Sequence, residues 1–394
     1  MKWNSIRTKV LAAMAGCLIA GVTGTLILLR YSFTQNSRAL ATESVTGAQR
    51  LFGILEARET SKMVAVSEAL ATNPEVRDAL AARDRNRLLG LTSPLYSELK
   101  AQGITNWMFH TADPEMSVFL RLHNPGKFGD RLNRFMDKEV VRTQSTVAGN
   151  ELAKAGFAAR TIRPFYDSRG QLTGYIEFGE EIGHFIHEMK AQTGDDYGLL
   201  LNKKFVDQKF WADTNATLNR RDNWNDHAAF VLADLTSASE RTIQFDGDLG
   251  SVSGNGQVLE RYESGDSVFV RGLFPIYDTA HNTVGAMFVV RDISGVYISM
   301  RNTQQMLMLL SMVGLVLGCG LVMMMLSRLV FDRLQHIIRV ATRVVGGDFE
   351  TAIAVESDDE IGQFEQLFDQ FRQVFVNVLH EMTELQESES REKV

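Results

Sequence analysis

The sequence predicts an α+β fold: two tandem antiparallel-sheet modules on a long N-terminal helix, two transmembrane helices, and a cytoplasmic parallel helical bundle. Three observations predict it. Two uncharged apolar runs, Val10 to Leu29 and Met306 to Leu326, bracket a long polar segment. That segment contains a repeated strand–turn–strand pattern, and the second run leads into two helices whose apolar residues alternate at spacings of three and four.

Each apolar run is about 20 residues, or roughly 30 Å of helix, which matches the hydrocarbon thickness of a bilayer. Lys2, Arg7 and Lys9 ahead of the first run are also what a cleaved secretory leader carries. A leader's apolar region is about 7–15 residues and ends at small residues, whereas Leu26-Ile27-Leu28-Leu29 carries this run up to Arg30. The expectation is therefore an uncleaved span at 10–29 and a second at 306–326. Lys2, Arg7 and Lys9 flank the first span, and Arg328, Arg333 and Arg339 flank the second on its far side. By the excess of positive charge on the inner side, both termini lie in the cytoplasm: residues 1–9 at the start, 327–380 as a linker and 381–394 as a helical tail.

Composition narrows the partners. A net charge of −7 over 394 residues, without basic clusters, argues against nucleic acid. Both cysteines, Cys17 and Cys319, fall inside the apolar runs, so the segment between them has no thiol for a disulfide, a thiolate metal site or a nucleophile.

Between the spans, Thr34 to Leu89 is rich in Ala, Leu, Glu and Arg and reads as a helix interrupted near Asn73-Pro74. Ile104 to Thr111 and Ser117 to Asn124 are strand-like, as are Tyr197 to Lys204, Phe230 to Thr236 and Ser267 to Phe274. The repeat is explicit. Arg160-x3-Pro164-x-Tyr166-Asp167 is followed by Gly174 and an apolar run to Ile182, and Arg271-x3-Pro275-x-Tyr277-Asp278 by Gly285 and a run to Ile293. Each copy reads as a hairpin with turn residues at its tip, so two similar modules are expected, about 90–182 and about 183–300.

The long helix with Leu70-Ala71-Thr72-Asn73-Pro74, the tandem sheets, and Phe119 to Pro125 followed by Phe128-Gly129-Asp130-Arg131-Leu132 resemble a double-Cache sensory domain over about Ser32 to Met300. The resemblance implies PAS-like modules that bind a small extracytoplasmic ligand, usually in the membrane-distal module, with no chemistry done on it.

Strand alternation points Val118, Leu120 and Leu122 one way and Phe119, Arg121 and His123 the other. The second set offers an aromatic wall, a guanidinium fork and an imidazole suited to a carboxylate or another anion. Trp107 and Phe109 on a neighbouring strand, with Tyr175 and Glu177 on the hairpin, are expected to line the same cavity, with Glu177 able to select an amine instead. The bland alternative leaves Arg121 and His123 on a solvated face, paired with Asp113 or Glu115. His184-x2-His187 has a spacing that some metals accept, but with two good ligands and no cysteine it reads as a surface helix; no metal or cofactor is expected. Asn215-Ala216-Thr217 fits a glycosylation sequon and is read as noise. Asp195-Asp196 and Trp211-Ala212-Asp213 have no reading.

After the second span, Leu334, Ile338, Ala341 and Val345 recur at four and three, and Gly346-Gly347 ends that helix. A second helix begins near Asp358, with apolar positions Ile361, Phe364, Phe368, Phe371, Phe375, Val378, Met382 and Leu385. Two such stripes bury themselves only against a second copy, giving a parallel four-helix bundle. Helix, glycine connector, Asp359-Glu360-Ile361-Gly362 and Phe368-Asp369-Gln370-Phe371 resemble a HAMP linker, which implies a signalling core of Leu334, Ile338, Ala341, Val345, Glu360, Ile361, Gly362, Phe364, Phe368 and Phe371. The proline often early in the first HAMP helix is absent, since Asp332-Arg333-Leu334 stands there. Only a short tail follows, with no room for a kinase or cyclase. His380 reads as a surface residue of the second helix.

These features predict a homodimeric receptor of the bacterial inner membrane. Its sensor is periplasmic or extracellular, it binds a small molecule, and its output either lies on a separate partner such as a cytoplasmic kinase or has been lost by truncation. The rival reading is a membrane-anchored scaffold whose outer domain contacts another protein. With no nucleophile motif, acid/base pair or phosphate-cradling loop in sight, no enzyme is expected.

Overall fold

The computed structural model describes residues 6–392 apart from 154–155, 218, 238–242, 266 and 356. It divides into two compact units, one of Ser32–Ser299 and one of the chain up to Tyr31 together with the chain from Met300 onward.

The outer unit is organised on α1, which runs Ile6–Thr72. Beyond Ser32 this helix buries Ala41, Val45, Ala48, Phe52 and Leu55 at alternating four and three, and Met63 and Leu70 two turns apart further along, which together match one face of a helix. The break read at Asn73-Pro74 is a cap. Asn73 Oδ1 accepts from the Glu75 and Val76 amides at 3.0 and 3.3 Å, and Pro74 opens α2 (Pro74–Ala81), where its missing N–H costs nothing. Helix α3 (Arg85–Ala101) follows, capped by Asp84.

The distal sheet comprises β1 (Ile104–Thr111), β2 (Val118–Arg121), β3 (Val147–Ala153), β4 (Gly156–Tyr166) and β5 (Leu172–Glu181), in the antiparallel order β2-β1-β5-β4-β3. Trp107, Phe109, Leu120, Ile176 and Phe178 pack on the helix side. On the opposite face α4 (Phe135–Thr143) sets Met136 and Val140 against Ile162 and Tyr175.

Helix α5 (Gly183–Thr193) leads to the proximal sheet of β6 (Asp196–Asn202), β7 (Phe230–Leu235), β8 (Gln257–Val258), β9 (Tyr262–Ser264), β10 (Ser267–Tyr277) and β11 (Thr283–Asp292). Its order is β7-β6-β11-β10-β8, with β9 also on β10, and α6 (Gln208–Thr217) lies between β6 and β7 in the chain. The two hairpins of the repeat pair in the same register, Pro164 opposite Tyr175 and Pro275 opposite Ala286. Asp195 and Asp196, unread in the sequence, are anchors. Buried Asp195 accepts from Ser44 Oγ of α1 at 3.0 Å and from Arg291 Nε at 2.9 Å, while Asp196 holds Lys190 Nζ at 2.6 Å.

In the other unit, the start of α1 and α7 (Ser294–Leu326) are helices long and apolar enough to cross a membrane, and their large apolar side chains, such as Ile27, Leu28, Leu307 and Leu317, are exposed. A π-helical turn, Ser327–Phe331, joins α7 to α8 (Asp332–Val345), and α9 spans Glu360–Glu392. Asp359 caps α9 by accepting from the Gly362 amide at 2.8 Å, and that bond with the Ser357 hydroxyl holds its carboxyl down at about 2. Gly362 is required there, because a Cβ would lie 1.7 Å from Ser357 O.

The stripe of α8 that packs within the chain is Ile337, Val340 and Val344, closed by Ile353, Ile361 and Phe368. Ile338 and Val345 are exposed, at 63% and 89%, and Leu334 and Ala341 are half-buried flanks. Within one chain, Ile353 and the Arg333 pairing with Asp359 and Glu365 lie on the Ile337 side of α8, and the stripe expected to meet a second copy is left uncovered. On α9, Phe364 and Phe371 are exposed, as is Glu360.

Candidate functional site

The polar face of the distal sheet is built around Glu177, which is fully buried on β5. The register places Met108 opposite Glu177, so on β1 it is Met108 and His110 that share its face. Arg134, the residue before α4, forks onto it: Nη1 donates to Oε1 at 2.8 Å and Nη2 to Oε2 at 2.6 Å. Arg160 Nη1 of β4 donates to Oε1 at 2.9 Å, and His110 Nε2 lies 2.8 Å from Oε2. Asp137 takes the back of Arg134 through Nε at 3.0 Å and Nη2 at 2.7 Å. Burial alone would raise the Glu177 carboxyl, but Arg134, His110 and Arg160 hold it well below the usual carboxylate range.

The cluster is not closed. His110 Nδ1, Arg160 Nε and Glu151 Oε2 are buried without a hydrogen-bond partner among the described residues. Glu151 Oε2 is ion-paired without a hydrogen bond, 3.5 Å from Arg134 Nε and 4.0 Å from Arg160 Nε, and burial raises the Glu151 carboxyl above its ordinary value despite Arg134 and Arg160. Such atoms in a low-dielectric interior each cost about 1–3 kcal/mol unless something satisfies them.

The expected site residues divide among three places. Glu177 and Tyr175 share this face, with Tyr175 OH accepting from Gln144 Nε2 at 3.0 Å. Trp107 and Phe109 lie on the helix side, fully buried, with the Trp107 ring 4.8 Å from Phe178, so they line no cavity with Glu177. Phe119 is half-buried against that same core, and its carbonyl accepts from Arg85 Nε at 3.1 Å. Arg121 is buried, but its fork is filled: Nη1 and Nη2 donate to Asp130 at 2.6 and 2.8 Å, and Nη1 also to Lys127 O at 3.0 Å. His123 lies past the end of β2 and is exposed. Arg121 therefore meets Asp130, neither a ligand fork nor Asp113 or Glu115. Arg134, His110 and Asp137 had not been singled out, and Arg160 only as part of the repeat. His110 was legible as the residue after Phe109 in an alternating strand, and Arg160 as a charge inside an apolar strand; Arg134 and Asp137 carried no signal.

Among the described residues no group of histidine, cysteine and acidic side chains could hold a metal ion. His184 and His187 are exposed and face Glu180 and Asp234 at 3.9 and 3.7 Å.

The described architecture is a pair of antiparallel sheets on one long helix, flanked in the chain by two helices long and apolar enough to cross a membrane. The chain matches the double sensory domain of two-component sensor kinase (dCache) over residues 53–249, half of its length, and it belongs to that family. No curated protein matches the chain. Among solved structures it is similar to the periplasmic domain of Vibrio cholerae LuxQ, at 10% identity over 62% of this chain and 98% of that one, TM-score 0.39. It is also similar to the ligand-binding domain of the Campylobacter jejuni chemoreceptor Tlp3 in complex with L-valine, at 12% identity over 68% and 95%, TM-score 0.36. The E. coli DcuS sensor domain matches at 14% identity over 35% and 98%, TM-score 0.30.

Proposed function

We propose that this protein is a two-span receptor of the bacterial inner membrane whose periplasmic outer unit binds a small carboxylate-bearing solute at the Glu177 face. The observation that carries the reading is the convergence of Arg134, Arg160 and His110 on one buried carboxylate, with polar atoms left over beside it. Two guanidiniums and an imidazole form a carboxylate-recognition geometry. At rest it is occupied by Glu177. A ligand carboxylate that displaces Glu177 exchanges one fork for another, and its remaining oxygens meet His110 Nδ1 and Arg160 Nε.

Displacement also moves Arg134 and with it the start of α4, which couples occupancy to the conformation of the module. Transmission through the second span needs only a differential of about 1–3 kcal/mol between two states. The α8–α9 pair acts as a HAMP-type linker in a homodimer. The apolar residues it leaves exposed, among them Ile338, Val345, Phe364 and Phe371, support a second copy as their cover.

The test is thermal unfolding of the full chain in lipid nanodiscs against carboxylates, amino acids, amines and purines. Saturation at about 100 times the dissociation constant adds roughly 2.7 kcal/mol, a shift of about 2–4 °C. Shifts confined to carboxylate-bearing compounds are expected. No shift anywhere, or shifts with amines alone, would overturn the reading.

A further inference from the structure

On the other side of β5 from Glu177, the helix-facing row runs Ile176, Phe178 and then Glu180, an acid in a line of core side chains. Glu180 is 1% exposed and meets Glu59 of α1, which is 5% exposed. The two carboxyls are in hydrogen-bond contact with each other. A carboxylate only accepts, so such a contact requires one proton between them.

The surroundings supply no other donor to Glu180. Lys62 Nζ stands 3.8 Å from its Oε2 and His184 Nε2 3.9 Å from its Oε1, and neither oxygen has a hydrogen-bond donor among the described residues. Gly103, at φ +99°, packs directly on the carboxyl, where a Cβ would lie 2.4 Å from Oε1. The site is therefore closed around the pair, and a proton is the one ligand that needs no room. Local charge agrees. Three carboxyls, Glu59, Glu180 and Glu188, face two cations: Arg58 donates to Glu59 at 2.8 Å and forks onto Glu188 at 2.9 and 2.7 Å, while Lys62 pairs with Glu59 and donates to Gln102 O at 3.1 Å. Glu56 lies one turn before Glu59 on α1, and Lys100 and Glu181 lie at an outer cavity that the exposed His184 shares. Beside Glu180, β1 and β4 present only Ile104 and Ala159.

We propose that Glu59 and Glu180 share one proton and that this acid–carboxylate pair is a pH-operated latch between α1 and the junction of the two sheets. Its position suits the role: α1 runs unbroken from Ile6 to Thr72, and Glu180 lies three residues before α5, the helix that connects the sheets. With the proton in place, the acid O–H of Glu180 donates to Glu59 and joins the two elements. When base removes it, the O–H bond breaks, the proton passes to water past the half-buried Lys62, and two buried carboxylates face each other across one shared cation. The hold of α1 on β5 then weakens. Burial first and Glu59 next set the Glu180 carboxyl at about 8, so the latch is closed below that pH and opens as pH rises through it. On the receptor reading this proton is a second input, but the latch itself needs no part of that reading.

Two readouts on the full chain in nanodiscs, without added ligand and from about pH 6 to about pH 10, test it: difference infrared spectra for protonated carboxyls, and amide hydrogen exchange for α1. Glu180→Gln is expected to remove a carboxylic-acid band that titrates near 8 in the unaltered chain, while the burial-raised Glu151 and Glu56 keep theirs. Exchange of the α1 amides around Glu59, corrected for its intrinsic base dependence, should rise by up to about ten-fold per pH unit above that midpoint. It should stay flat in Glu180→Gln, whose amide donates to Glu59 at every pH. Lys62→Met, which removes the cation that lowers the Glu180 carboxyl, should move the midpoint upward, and His184→Gln should leave it in place. An acid band untouched by Glu180→Gln, or a midpoint that vanishes in His184→Gln, would overturn the shared proton. Flat α1 exchange throughout the titration of the unaltered chain would overturn the latch. Failure of carboxylates to bind the distal face alters neither readout, so the two proposals fail separately.

Discussion

The two modules share a hairpin and differ in what they put on one of its faces. Glu177 and Phe288 occupy the same register after Pro164 and Pro275, as do Ile162 and Leu273. In the proximal sheet that face is a dry core of Leu200, Leu273, Ala286 and Phe288 under Phe245 and Leu249. In the distal sheet it carries Glu177, His110, Arg134, Arg160 and Asp137. The helix-facing sides are alike: Ile176 and Phe178 in one, Met287 and Val289 in the other. The fold therefore needs one apolar face only, and the other is free to be spent on charge. A buried ion cluster is weak support for stability, so the two faces differ in chemistry more than in what the fold requires.

The same contrast recurs where each sheet meets α1. Glu180 and Arg291 hold equivalent positions. Buried Glu180 lies by Glu59 and Lys62 of α1, its carboxyl pushed up to about 8, by burial first and by Glu59 next. Arg291 reaches α1 through Asp195 and Ser44. One anchor holds a titratable proton and the other is an ordinary ion pair.

The largest effect expected is from Glu177→Ala, which leaves Arg134 and Arg160 buried without their shared carboxylate. It should cost about 3–5 kcal/mol, against about 1 kcal/mol for Phe288→Leu, both read from unfolding midpoints. Replacing the cluster together, with Glu177→Leu, Arg134→Leu, Arg160→Met and His110→Phe, and with Asp137→Asn and Glu151→Gln so that no buried carboxylate is left without its guanidinium, should restore most of the original stability while abolishing any carboxylate response. Gly174→Ala and Gly285→Ala should cost similar amounts, about 1–3 kcal/mol each, because a Cβ at either lies 2.3 Å from a facing carbonyl, His110 O or Leu200 O. Unequal losses there would contradict a shared backbone.

Asp195→Ala should cost about 1–2 kcal/mol, below the value for a fully buried pair because Arg291 is 30% exposed and can hydrate. The remaining effect is in pH. A carboxyl raised from its ordinary 4.5 to about 8 keeps a proton that the unfolded chain releases, so stability should fall as pH rises through that window. Glu180→Gln should flatten the dependence in thermal scans, and Arg291→Gln should not.

Much of the fold was legible in the sequence. β1 was expected at the residues where it forms, and the repeat gave both hairpins and their turns. β3 was missed because Val147-Ala148-Gly149-Asn150 has no bulky alternation and forms only an edge. The site was legible in part. Alternation assigns residues to faces within one strand but does not relate faces across strands, which takes the register. A one-residue error moved Trp107 and Phe109 onto the Glu177 side in place of Met108 and His110. Arg121 misled for another reason: its partner Asp130 comes from a loop, and no periodicity connects a strand to a loop.

The central claim is that the charged face of the distal sheet, and not its apolar counterpart, receives the ligand. It is tested most directly by titrating the carboxylate that gives the largest thermal shift into the full chain and its Arg160→Met and Arg271→Met variants. These are the same position of the repeat in the two modules. The account predicts a loss of about ten-fold or more in Arg160→Met and unchanged affinity in Arg271→Met. Equal affinities in all three, or a loss in Arg271→Met alone, would contradict it.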